Sequence, residues 1–320
     1  MDTPLTPAAS AGLSPARRYL TLLQREWMQH RLGWTLLAGA PLLVSLLVLL
    51  VGRLQVTFNG DDVTLKLGDA PTLAVATLSL VGTTVLSFIL AWFVSLWQAS
   101  GLARRDQQDR SIEFWLSLPI SHTAALTAPM VAHLLLFPLA ALWVGVAGGT
   151  LVSLVAVTAY APPSEWLALP WGWIALAVVS IALRITLGLL LATLWLSPLI
   201  LAVMAASAWL KRWGLPALIA TVAIVGNLLE GLQGSRILWD TGKQLMERAG
   251  QSFITSAAGH GVRFGPDQPD ATPMLRAIPG ELLTDAGRAV AQLVDPLLPL
   301  ALLVAAGCFA LLLVRRRQGA

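Results

Sequence analysis

Long apolar runs separated by short polar gaps dominate this chain. Stretches free of Asp, Glu, Lys and Arg cover 32–52, 70–103, 114–164, 166–183, 185–210, 213–229 and 296–314. A helix crosses a hydrocarbon layer of ~30 Å with about 20 residues at ~1.5 Å rise each, so these are seven candidate spans. The first residues of the 114–164 run are polar enough to form a loop.

The basic residues set the number of crossings. Arg17, Arg18, Arg25 and Arg31 precede the first run, Arg104, Arg105 and Arg110 lie between the second and third, and Arg315, Arg316 and Arg317 follow the last. Cytoplasmic flanks of membrane helices are enriched in Lys and Arg. Seven crossings would put Arg315–Arg317 and the pair Lys211/Arg212 outside, whereas six put every basic group inside. Six crossings are therefore expected, near 34–51, 72–97, 126–157, 185–210, 215–232 and 296–314, with both termini cytoplasmic. The run that fails to cross is 166–183, which holds Pro170 and carries Trp166, Trp171 and Trp173 at one end. Tryptophans favour the headgroup layer, so this run either lies along the outer interface or joins the fourth span in one long helix over 171–210, kinked at Pro198.

The expected fold is an all-α polytopic membrane protein with a single transmembrane domain over 1–320. An amphipathic interface helix is predicted over 14–32, where Ser14 can cap and Pro15 occupies the first turn. Tyr19, Leu20, Leu23 and Trp27 share one of its faces, and Arg17, Arg18, Gln24, Arg25 and Arg31 lie elsewhere, an arrangement suited to the inner headgroup layer. A cytoplasmic loop is expected over 99–125 and a long extracytoplasmic loop over 233–295, the latter with short helices near 236–248 and 279–294. The stretch 53–71 is read as a second outer loop.

Composition agrees with this picture. Of 320 residues, 56% are hydrophobic and 12% charged, with mean hydropathy +0.73. Soluble domains carry roughly a quarter charged residues, so a water-soluble globule, a disordered chain and a disulfide-stapled miniprotein are all excluded. The net charge of +4 does not signal a nucleic-acid partner, because the basic residues punctuate the gaps between apolar runs. Cys308 is the one cysteine, so no internal disulfide can form. The first 14 residues lack the apolar core of a signal peptide.

Enzymatic signatures are missing. Only Lys66, Lys211 and Lys243 are present and none belongs to a G-x-x-x-x-G-K-[ST] loop, so the chain has no Walker route to a nucleotide phosphate. His30, His122, His133 and His260 are scattered along the chain without HExxH or His/Cys spacing, and no metal site is expected. No G-x-S-x-G elbow occurs. An intramembrane histidine such as His133 more often hydrogen-bonds a neighbouring helix than relays protons. The chain reads as non-catalytic.

The loop between the second and third spans is the most specific segment. Asp109 can cap a short helix over 110–116, which Pro119 stops, and Ser121 can cap the third span. Such a helix exposes Ile112, Phe114, Trp115 and Leu116 beside Asp109, Arg110 and Glu113, apolar anchors ringed by charge that suit a cleft in another protein. The alternative is a re-entry in which Phe114 and Trp115 dip into lipid.

The segment DQQDRSIEFWLSLPIS (106–121), followed by an apolar span, resembles the signature of permease subunits of bacterial type-2 ATP-binding-cassette (ABC) exporters. The stretch LWLSPLILAVMAASAWLKRWGLP (194–216) and the closing Arg315–Arg317 triplet resemble the same family. The chain departs from many relatives near the start of the third span, where Thr127 and Ala128 stand in place of a lysine. The resemblance implies a multi-pass protein of the bacterial inner membrane that works as two permease copies, identical or related, with two separate ABC ATPase subunits. It implies that MgATP binds the partner, that this chain holds no cofactor, and that the 110–116 helix couples to the ATPase with the N-terminal helix beside it.

Within the spans, Ala141, Gly145, Gly149 and Ser153 recur every fourth residue and form a small-residue face, read as intrachain packing before a subunit interface. Thr83, Thr84 and Ser87, with Asn227 and Glu230 at the outer end of the fifth span, are the polar candidates for a translocation path. A greasy path with few charges favours a lipid, peptide or hydrophobic cargo. The competing readings are a non-transporting scaffold or sensor subunit and a membrane-embedded enzyme.

Overall fold

A computed structural model describes residues 14–51, 55–57, 64–66, 72–103, 121–159, 161–255 and 272–318. The described chain is helical apart from a small hairpin. Helix α1 spans Pro15–Val51, and strands β1 (Gln55–Thr57) and β2 (Thr64–Lys66) pair antiparallel with Val56 opposite Leu65. Helix α2 spans Thr72–Leu102, and α3 runs over His122–Thr158 with a π turn at Ala132–Leu136. Then come α4 (Pro163–Leu167), α5 (Trp171–Leu210), a 3-10 turn at Lys211–Trp213, and α6 (Gly214–Gln233). Helices α7 (Ile237–Gln251), α8 (Thr272–Ala291) and α9 (Leu297–Gln318) complete the described chain.

Five continuous helical stretches are long and apolar enough to cross a membrane: Pro15–Leu49, Thr72–Leu102, His122–Thr158, Trp171–Gln233 and Leu297–Gln318. Their outward faces carry large apolar side chains, among them Leu32, Leu36, Phe93, Trp97 and Leu303. A soluble monomer does not leave such a surface to water. The protein is a multi-pass membrane protein.

The fourth stretch contains a reversal. Lys211 adopts a positive φ of 54°. A Cβ added to Gly214 would stand 2.5 Å from Ser207 Cα. Residues seven apart in a straight helix are separated by about 10 Å, so this contact means that α6 folds back on α5. Glycine at 214 lets the two backbones meet.

Three expectations are corrected. Trp171–Leu210 is one helix of 40 residues, so 166–183 is not a separate interfacial segment, and the long-helix alternative holds. Helix α1 is unbroken from Pro15 to Val51, so no interruption near residue 32 separates an interface helix from a span. The predicted apolar face is also split, Tyr19 and Leu23 being half-buried against the bundle. Leu22, Glu26, Trp34 and Ala38 are buried against the bundle, while Leu20 and Trp27 face outward. Helix α8 starts at Thr272 rather than 279, with Pro273 in its first turn and Pro279 inside.

Helices α8 and α9 together track α5. Leu275 packs with Ile174, Asp285 pairs with Arg184, and Arg315 Nε donates to the Ala208 carbonyl at 3.4 Å. The main core joins Trp195, Met204 and Ala205 of α5 with Leu298, Ala301 and Leu312 of α9 and with Leu126 of α3. Ser121 caps α3, accepting from Ala124 N at 3.2 Å, and the Tyr19 hydroxyl donates to Thr127 Oγ1 at 3.4 Å. The start of α1, the end of α2, the start of α3 and the C-terminal ends of α5 and α9 thus gather at one end of the bundle.

Candidate functional sites at the two ends of the bundle

The polar residues of α2 lie in a seam. Gly145 and Gly149 of α3 press on α2 so closely that an added Cβ would stand 2.8 Å from Thr84 Cα or 2.5 Å from the Leu80 carbonyl oxygen. Ala141 and Ser153, at the same four-residue spacing, are fully buried. The small-residue face packs within the chain, and Trp166 Nε1 donates to Ser153 Oγ at 3.2 Å beside it. Thr84 Oγ1 donates back to the Leu80 carbonyl at 2.8 Å, Thr83 Oγ1 donates to Ser45 Oγ of α1 at 3.3 Å, and Ser87 is enclosed. These three side chains therefore line helix contacts rather than an open path. Asn227 and Glu230 lie on the exposed side of α6, where Glu230 pairs with Arg236 at 3.3 Å. The structure does not bring the two sets together.

Asp109, Arg110, Ile112, Glu113, Phe114, Trp115 and Leu116 lie outside the described residues. Arg17 is exposed in the first turn of α1, where its backbone N–H reaches Ser14 Oγ at 3.4 Å. Arg18 is half-buried nearby, and Trp27 is exposed with its ring 6.0 Å from that of Trp34.

Near the gathered end, α1 and α3 enclose a polar cluster that the linear pattern did not reveal. Glu26, His30 and Trp34 follow one another at four-residue spacing and so share a face of α1. Opposite them stands His133, inside the π turn. Pro138 explains that turn: it has no N–H for the Leu134 carbonyl, and its ring would press on that oxygen. Glu26 and His133 are each only 1% exposed. His133 Nδ1 lies 2.9 Å from Gln98 Oε1 of α2. An amide oxygen only accepts, so Nδ1 donates in this contact. His133 Nε2 has no hydrogen-bond partner and lies 3.6 Å from Glu26 Oε2. Arg25 Nη2 donates to the other oxygen, Glu26 Oε1, at 2.9 Å. The His30 and His133 rings meet edge to face at 4.8 Å, and Trp34 stacks between His30 and Phe137. His133 does hydrogen-bond a neighbouring helix, as expected, but it is not isolated. The fold unites two histidines that were read as scattered.

The second buried cluster is farther from the gathered end. Arg184 lies about 39 Å from the Leu210 end of α5, at 1.5 Å per residue. Its Nε and Nη2 both reach Asp285 Oδ2, at 2.7 and 2.6 Å, and Nη1 donates to the Ser252 carbonyl at 2.6 Å. Asp285 also accepts from the Thr255 backbone N–H at 3.1 Å and from the Thr255 hydroxyl. Arg248 and Asp295 form a second pair at 2.6 Å. These pairs tie α5, α7, α8 and the start of α9 together across more than a hundred residues of sequence.

Burial by itself would raise the Asp285 carboxyl, but the Thr255 and Arg184 hydrogen bonds outweigh it and hold the group below the ordinary carboxylate range. A carboxylate with a depressed folded-state pKa contributes stability that is fully present above its unfolded value and lost as pH falls through the folded one. Unfolding midpoints in detergent should therefore show no Asp285 contribution to pH dependence from pH 7 down to about 5, and should fall below about pH 4. Asp285→Asn should lack that acid limb. If wild type and variant lose stability in parallel below pH 4, the carboxylate is not the group responsible.

No family model matches the chain, and comparison with curated proteins and with solved structures found no match.

Proposed function

We propose that this chain is the permease subunit of an ABC transporter of the exporter type, crossing the bacterial inner membrane six times with both termini cytoplasmic. The six crossings are α1, α2, α3, α5, α6 and α9, counting the reversal at Lys211. A separate ABC ATPase binds MgATP and seats the 110–116 segment, and two permease copies enclose the route of a lipid, peptide or other hydrophobic substrate. The observation that supports this reading is the gathering of the α1 start, the end of α2, the start of α3 and the α9 end at one end of the bundle, the end that holds Arg17, Arg18 and Arg315. One docked motor could act on all of them from one side of the membrane. The lack of a Walker loop fits a chain whose ATP is hydrolysed elsewhere.

The test is association. The tagged chain, solubilised from its native membrane, should co-purify with an ABC ATPase and with vanadate-sensitive ATP hydrolysis. Phe114→Asp combined with Trp115→Asp should cut recovery of that partner at least about tenfold, because two apolar anchors at 2 kcal/mol or more each would be replaced by buried charge. Should the wild-type chain carry no such ATPase, or the double variant keep it, the assignment is wrong.

A further inference from the structure

We infer that Glu26, His30 and His133 form a binding site for a divalent transition-metal ion, Zn2+ being the natural probe, which clasps α1 to α3. One ligand atom from each residue lies within 4.8 Å of the other two. Tetrahedral zinc with donors at about 2.0–2.1 Å spaces its ligands roughly 3.3 Å apart, so side-chain adjustments of about 1 Å would close the triad. The donor set, two imidazoles and a carboxylate, suits Zn2+ and its neighbours over Ca2+ or Mg2+, which prefer oxygen.

The surroundings are those of a ligand set rather than a packing accident. Gln98 holds His133 by Nδ1 and leaves Nε2 without a hydrogen-bond partner and facing Glu26, the orientation that an outer-shell partner gives a metal-binding histidine. Arg25 Nη2 donates to Glu26 Oε1 at 2.9 Å, which orients the carboxylate with Oε2 3.6 Å from His133 Nε2. The π turn brings His133 to this position, and such turns are frequent at functional sites. His30 is only half-buried, so an ion and a fourth, water ligand can enter from its side. The site does not depend on the transporter reading, since it uses only contacts between α1, α2 and α3.

The full-length chain, purified in detergent and stripped with chelator, should bind one Zn2+ per molecule by calorimetry. Co2+ should give the visible absorption of a tetrahedral site. His30→Asn and His133→Asn should each weaken binding at least about tenfold, and His122→Asn should not change it. Zn2+ should raise the thermal midpoint of wild type, since a ligand that binds only the folded state stabilises it, and should leave that of His30→Asn unchanged. Glu26→Gln keeps the shape of the side chain and gives the same reading if His133→Asn fails to fold. Absence of stoichiometric Zn2+ binding, or binding that survives both His30→Asn and Glu26→Gln, overturns the proposal. The latter result would leave the cluster a hydrogen-bonded contact between helices.

Discussion

Replacing Arg184 by alanine should cost the folded protein about 3–5 kcal/mol, the largest loss expected from any single side chain described here. Its side chain is 3% exposed and that of Asp285 6%, so removing one partner leaves a charge buried without its counter-charge. The damage spreads, because Asp285 also receives the Thr255 backbone and hydroxyl, and Arg184 also serves the Ser252 carbonyl. Thermal unfolding in detergent should show Arg184→Ala and Asp285→Ala far below wild type. The pair Arg184→Met with Asp285→Leu should recover much of the loss, since it buries no charge at all. Arg248→Ala should cost less, because its side chain is 29% exposed and water can solvate what remains. An Arg184→Ala midpoint no lower than that of Arg248→Ala would show that the pair does not hold α8 to α5.

The second large effect is steric. Gly149→Leu should prevent α2 and α3 from meeting. A Cβ at 149 already stands 2.5 Å from the Leu80 carbonyl oxygen, a backbone atom that cannot rotate away, and a leucine adds three more carbons. Overpacking of this kind costs about 1–3 kcal/mol or more, and here the helices would have to separate along a seam that also holds Thr84 and Ser87. Gly82→Ala is the matched control. Nothing lies within 4 Å of its added Cβ, and alanine is the better helix former by about 1 kcal/mol. The expected order of unfolding midpoints is Gly82→Ala at or above wild type, then Gly149→Ala, then Gly149→Leu lowest. Equal midpoints for Gly82→Ala and Gly149→Leu would mean that the seam is not formed in the membrane.

The apolar runs announced helices long enough to span a bilayer, because no other described part of the chain could hide so much hydrocarbon from water. Ser14 and Ser121 announced helix starts, because a capping hydroxyl acts over three residues. The stripe of Ala141, Gly145, Gly149 and Ser153 announced a close contact for the same local reason: four-residue spacing is one helix face. Partners were not legible. Asp285 is 101 residues from Arg184, and His133 is more than a hundred from Glu26, so only the folded chain makes either pair.

In a membrane helix both lipid-facing and protein-facing sides are apolar, so hydrophobic patterning does not say which side is inside. This is why Tyr19, Leu20, Leu23 and Trp27 read as one lipid-interface face of α1, whereas the bundle took Leu22, Glu26 and Trp34 together with Tyr19 and Leu23, leaving Leu20 and Trp27 outside. Thr83, Thr84 and Ser87 looked like path residues for the same reason, and only the nearness of α3 and α1 shows them sealed in a contact.

The amino-acid order by itself determined that this is a helical membrane protein with basic residues grouped at the gaps, because crossing length and charge exclusion are properties of single segments. Tertiary structure decided where α5 begins, which way α1 faces, and that Glu26, His30 and His133 share one buried site. Those outcomes depend on which helix surfaces fit one another, a matter of shape and paired polar groups that no segment carries alone.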